Sequence, residues 1–265
     1  MTPAGAAHPA TTDAPRPLAL VTGGLHRIGA AIAAALATAG YDLALHSRSG
    51  GEPEPALAEA IRAAGCAFAS LPQDLAQAGA AAALFEAAVE RFGRCPTVLV
   101  NNASLFGAGA IADATEAELM AHVAVNLTAP VQLARAMALN TFGDGGTGCV
   151  INIIDQRVRN PVPDQFAYTV SKQALWQATR TLAIALAPAI RVNAVAPGLT
   201  LATTDYAPGQ TERMSQMMPL QLLPEPRDIA DAVLYLAHAR AVTGQTIFVD
   251  GGASMKSFER DFVAL

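Results

Sequence analysis

The chain has 265 residues, 52% of them apolar and 15% charged, with a formal net charge of −5. That balance can bury one sizeable core, and an acidic chain without a Lys/Arg cluster offers no nucleic-acid surface. Three cysteines without paired spacing argue against a disulfide framework and suit a reducing, cytoplasmic setting; five scattered histidines predict no metal site.

Residues 1–16 are rich in Pro, Ala and Thr and carry no basic-then-apolar signal pattern, so they are expected to form a disordered arm. The first predicted strand, Leu18–Thr22, runs into glycines and then a helical pattern over Ile28–Ala39. Strand character returns at Tyr41–Leu45. A helix follows at Pro55–Ala64 with Gly65 as its C-cap, and a strand at Cys66–Leu71. Ala78–Phe92 reads as a helix closed by Gly93, and Thr97–Val100 as a β-branched strand ending at Asn101-Asn102. Glu116–Met137 predicts a long helix broken near Asn126 to Pro130. Cys149–Ile154 is the next strand, Gln165–Leu186 the next helix, and Ile190–Val195 a strand that stops at Pro197-Gly198. A helix at Arg227–Ala237 and a strand at Thr246–Val249 complete the alternation. No apolar stretch is long enough to span a bilayer.

Strands that read as continuous apolar runs, separated by helices, predict a parallel sheet covered on both faces: a single doubly wound α/β domain over residues 17–254, with a tail at 255–265. Ligands in such sheets sit beyond the carboxyl ends of the strands. Thr22-Gly23, His46–Ser49, Asp74, Asn101–Ser104, Asp155 and Pro197-Gly198 all follow strands, so they converge on one rim.

The turn Thr22–Gly29 suits a dinucleotide pyrophosphate. Glycines allow close backbone approach, and a helix N-terminus supplies N–H groups. After the second strand stand His46, Ser47, Arg48 and Ser49, with no acid before Glu52. A cation there favours a 2′-phosphate, and hence NADP(H) over NAD(H). Tyr168 and Lys172 are four residues apart on one helix face, and the ammonium is expected to lower the phenol pKa. Asp155 ends the strand before them. Gln156 and Arg157, which follow, either touch a substrate or cap the strand.

Thr22-Gly23…Gly29, Asp74, Asn101-Asn102-Ala103, Asn126, Tyr168-x-x-x-Lys172 and Pro197-Gly198 together resemble the short-chain dehydrogenase/reductase family, from about Leu18 to Gly252. The resemblance implies a Rossmann fold with a mostly parallel, seven-stranded sheet, a nicotinamide cofactor, hydride transfer and a homotetramer. Two departures from the family pattern, Arg27 in place of glycine and Asp155 in place of serine thirteen residues before Tyr168, are similar to the pteridine reductase and dihydromonapterin reductase branch. So are Asn102-Ala103-Ser104-Leu105-Phe106 and Pro197-Gly198-Leu199-Thr200. The resemblance implies Asp155, Tyr168, Lys172 and Asn126 as catalytic, Asn126 by holding a water that relays to Lys172. It places Gly23, Arg27, Ile28, Gly29, His46–Ser49, Asp74, Leu75, Asn101, Ala103, Ser104, Tyr168, Lys172, Pro197, Gly198 and Thr200 against NADP(H). Arg27, Ser104, Phe106, Asp155 and Tyr168 would meet a pterin. A ketone or 3-oxoacyl thioester reductase, or a non-catalytic NADP-binding sensor, are the alternatives. Met214–Leu223 is expected to be a mobile substrate loop, and the last residues to dock on a neighbouring subunit or fray.

Overall fold

The computed structural model describes residues 15–107, 109–144, 146–201 and 206–264. Most of the expected N-terminal arm therefore lies outside the described residues. Its last part, Arg16, is held: its guanidinium donates to the Ala64 carbonyl at 2.9 Å.

Seven strands form one parallel sheet in the order β3-β2-β1-β4-β5-β6-β7. These are β1 (Leu18–Thr22), β2 (Asp42–Ser47), β3 (Phe68–Pro72), β4 (Val98–Asn101), β5 (Gly148–Ile153), β6 (Ile190–Pro197) and β7 (Thr246–Val249). Successive side chains of a strand point to opposite faces. Ala19 and Val21 therefore enter one core, with α1 (Arg27–Thr38), α2 (Pro55–Ala64) and α8 (Pro226–His238). Leu18 and Leu20 enter the other, with α3 (Ala80–Phe92), α5 (Ala129–Asp144) and α6 (Phe166–Ala185). This is why β1 is apolar throughout: neither face meets water. The edge strands β3 and β7 are less buried.

Local chemistry sets many boundaries. Pro55 opens α2, and Gly65 closes it with φ 58°. Glu225 and Asp228 form a reciprocal capping box on α8. The expected break in the long helix is a π turn, Ala124–Thr128, between α4 (Glu116–Val123) and α5. Pro130 has no N–H to donate to the carbonyl four residues back, that of Asn126, and the Ala129 N–H bonds instead to Ala124, five residues back.

The first four residues of the expected loop Met214–Leu223 are helical: α7 spans Gln210–Met217. Met214 and Met218 are buried with Phe262 in a small apolar cluster. The tail supplies the apolar face that lets this segment pack.

Candidate active site

The strand ends open onto one cleft of about 570 Å³. At its first end stands the turn after β1. Gly23 is left-handed, with φ 61°, and a Cβ on Gly29 would lie 1.9 Å from the Gly23 carbonyl oxygen, so only glycine fits there. Arg27 occupies the left-handed region too, at φ 56°, which costs a non-glycine residue strain. Its backbone N–H donates to Glu54 Oε2 at 3.0 Å, and the residue lines the cleft. Helix α1 opens here with no cap from the His26 side chain and no acid in its own first turn; beyond the Arg27 N–H that Glu54 takes, N-terminal N–H groups are left for an anion. Gly23, Arg27, Ile28, Gly29 and Ser47 form this wall. Arg48 and Ser49 are exposed beside it, and Arg48 makes no ion pair among the described residues. Tight turn, open helix end and a cation after β2 fit an NADP-type dinucleotide.

Several side chains expected beside the cofactor have partners within the protein. The His46 ring is buried: Nδ1 accepts from the Gly23 N–H at 3.2 Å, and Nε2 lies 2.8 Å from the Gln73 carbonyl. Burial pushes its pKa below the ordinary value, and the neutral ring braces the glycine turn from inside. The Asn101 amide is also turned inward, donating to Asn152 Oδ1 at 2.8 Å. Its neighbour Asn102, part of the expected rim but not of the expected cofactor contacts, lines the cleft and donates to the carbonyls of Thr22 and Gly23 at 3.0 and 3.1 Å. Asp74 caps its own turn through the Ala76 N–H at 3.0 Å, and Leu75 is buried. Pro197 is buried at the end of β6, while Gly198 and Thr200 reach the cleft.

At the other end lie Ala103, Ser104, Phe106, Asp155 and Tyr168. The carboxylate of Asp155 is engaged on both oxygens. Oδ1 accepts from the Arg157 N–H at 2.8 Å, capping a 3₁₀ turn, and Oδ2 accepts from the Tyr168 hydroxyl at 2.8 Å. Asp155 therefore caps the turn and faces the cleft with the same carboxylate. Phe106 is 50% exposed and meets the Tyr168 ring edge-on, 4.8 Å between centroids. It offers a flat apolar surface to a ligand.

The expected effect of Lys172 is corrected. The Tyr168 phenol is held well above its ordinary value, not below it; burial is the main cause and the Asp155 charge the next. Lys172 Nζ lies 5.9 Å from the Tyr168 ring centroid and donates to the Ile153 carbonyl at 2.8 Å. Burial lowers the ammonium to about 8, partly opposed by Asp155. Asn126 keeps its side chain inside the fold. Its amide oxygen accepts from the Leu105 N–H and the Ser104 hydroxyl, and its nitrogen donates to the Leu105 carbonyl and Ser171 Oγ. Fully engaged, that side chain holds the Ser104 loop onto α6, which leaves the backbone carbonyl of Asn126 as its acceptor for a water.

Gln156, Arg157, Tyr206, Phe262 and Val263 complete the cleft. The tail folds back on its own chain. Its apolar Phe258 and Phe262 were visible in the sequence, but their partner was not. Among the described residues no helix is long and apolar enough to cross a membrane, and no group of three or more His, Cys, Asp or Glu could hold a metal.

Known proteins are similar to this chain over most of its length. A family model described as enoyl-(acyl carrier protein) reductase matches residues 24–254. The crystal structure of alternative dihydrofolate reductase 1 from Brucella canis, complexed with NADP, is 40% identical, with a TM-score of 0.80 over 91% of this chain and 95% of that one. Pteridine reductase 1 of Leishmania tarentolae is 31% identical, covering 92% of this chain and 99% of its own. The 3-oxoacyl-[acyl-carrier-protein] reductase of Staphylococcus epidermidis is also 31% identical, over 89% and 98%. A parallel sheet in this strand order, a glycine turn opening α1, a Tyr168–Lys172 pair and matches across nine-tenths of the chain lead to one conclusion: the protein is an oxidoreductase of the short-chain dehydrogenase/reductase family, related to its pteridine reductase-like branch.

Proposed function

We propose that this protein is an NADPH-dependent reductase of pterins, taking a dihydropterin-type ring to the tetrahydro level. The observation that carries the reading is the 2.8 Å hydrogen bond between Tyr168 and Asp155. An ionised carboxylate only accepts hydrogen bonds. Beside a carbonyl oxygen becoming an alkoxide it would repel the developing charge. A pterin instead presents ring N–H and amino donors, and its reduction places a proton on a ring nitrogen.

NADPH, when bound, supplies the hydride that goes to the ring carbon. Gly23, Gly29 and the start of α1 would hold its pyrophosphate and Arg48 its 2′-phosphate, with Lys172 behind Tyr168. Phe106 gives the ring an apolar face, while Ser104 and Arg27 take its polar edge. Tyr168 delivers the proton to nitrogen. Its raised pKa keeps the phenol protonated until transfer, and Asp155 accepts donor groups of the ring and hands on a proton from water. A homotetramer belongs to the same reading, supported by exposed Met120, Leu139 and Ile184 on α4, α5 and α6. A cytoplasmic setting suits the substrate.

Equal identity to a pteridine reductase and a 3-oxoacyl reductase favours, as the second reading, reduction of an oxoacyl thioester. NADPH oxidation measured side by side with a dihydropterin and acetoacetyl thioester separates the two. The wild type should prefer the pterin, and Asp155→Ser should lose about a hundredfold on it, the scale of a positioned acid–base group. A wild type that prefers the thioester, with pterin turnover indifferent to Asp155→Ser, ends the pterin reading.

A further inference from the structure

We propose that Arg157 is a positioning residue that ties residues 258–264 into the wall of the substrate subsite, so that the tail helps decide what fits against Asp155 and Tyr168. The proposal rests on the pterin reading only for the identity of the substrate.

Arg157 stands in the short turn capped by Asp155. It is 8% exposed, and an arginine is buried to that degree only where its charge is matched. Its guanidinium forms an ion pair with Asp261 of the tail and donates to Gln165 Oε1. Gln165 holds φ 56°, a left-handed conformation that costs a residue with a side chain. The chain thus keeps a strained residue at the start of α6, and that residue's amide receives Arg157.

Two further ties fix the same segment. Asp164 accepts from Arg260 Nε at 2.9 Å and from the Asp261 N–H at 2.8 Å. Gln210 of α7, itself buried, donates to the carbonyls of Phe262 and Val263 at 2.7 and 3.1 Å. Chain ends fray unless tied down. This one is tied from three sides, and the outcome is that Phe262 and Val263 line the cleft. Phe262 packs with α7 in its own small cluster, apart from the two large cores of the sheet. Its removal therefore leaves the dinucleotide end intact.

The test compares wild type with Asp261→Asn, Asp261→Glu and Phe262→Ala by steady-state kinetics on a dihydropterin and on acetoacetyl thioester, with NADPH affinity measured by fluorescence. Asp261→Asn and Phe262→Ala should raise the KM for the substrate about tenfold, leave kcat within about threefold and leave NADPH affinity unchanged, the pattern of lost uniform binding. Asp261→Glu, which keeps the charge, should recover part of that KM. An unchanged KM in both variants overturns the proposal, as does a loss of kcat matched by weaker NADPH binding. If wild type turns over the thioester alone and the variants raise its KM in the same way, the tail's role stands while the pterin reading falls. A wild type that turns over neither substrate overturns both.

Discussion

The dinucleotide end of the cleft is built from one short stretch of chain, in which β1, the glycine turn, α1 and β2 follow one another from Leu18 to Ser47. The substrate end draws on Ser104, Asp155, Arg157, Tyr168, Tyr206 and Phe262, brought together from four separate regions. At the first end the backbone offers most of the groups a dinucleotide would meet, through left-handed glycine and open helical N–H groups. At the second, side chains act on one another, and their properties come from burial. A change at the first end should therefore alter cofactor affinity alone. A change at the second should alter chemistry or substrate fit with the cofactor still bound.

The strongest way to break that division is Tyr168→Phe. Removing the proposed proton donor should lower turnover by about 10²–10⁴ while NADPH binds with wild-type affinity. Single-turnover NADPH oxidation together with a binding titration checks it, and a parallel loss of affinity would show the two ends to be coupled. A smaller effect is expected from Arg48→Ala. Loss of a charge-assisted contact to phosphate should weaken NADPH roughly tenfold or more and leave NADH nearly unaffected, sharpening the first end's assignment as an affinity site.

The smallest effect concerns stability. Burial holds Lys172 at about 8, below its ordinary 10.5. Between those values the unfolded chain carries the proton more readily than the native one, so this group's contribution to stability grows as pH rises through the window and its penalty is complete below about 8. The thermal midpoint of Lys172→Met relative to wild type, both without cofactor, should thus be more favourable at pH 7 than at pH 10, by on the order of a few degrees. A difference independent of pH would show that the buried ammonium keeps its ordinary affinity for the proton.

How much of this was legible beforehand follows the same line. Strand and helix alternation, Gly65 and Gly93 as helix ends, and the break at Asn126 are local matters of periodicity and missing donors, and the structure places them within a few residues of expectation. The Asp155–Tyr168–Lys172 spacing was likewise visible, since i and i+4 share a helix face. The inward turn of His46 and Asn101 was not, because both lie at strand ends where one step of the pleat separates core from cleft. Asn126 was recognised as special, yet its partners, Leu105 and Ser171, lie on two other elements.

The linear order of residues determined the class of fold, the glycine turn and the identity of the acid–phenol–amine set, because each depends on backbone preferences and spacings that act over a few residues. Tertiary structure alone decided that the Tyr168 phenol is raised, that Arg157 is buried between Gln165 and Asp261, and that the chain's end is a wall of the cleft. A proton affinity is set by the dielectric and the charges around a group, and those are supplied by segments that only folding brings near.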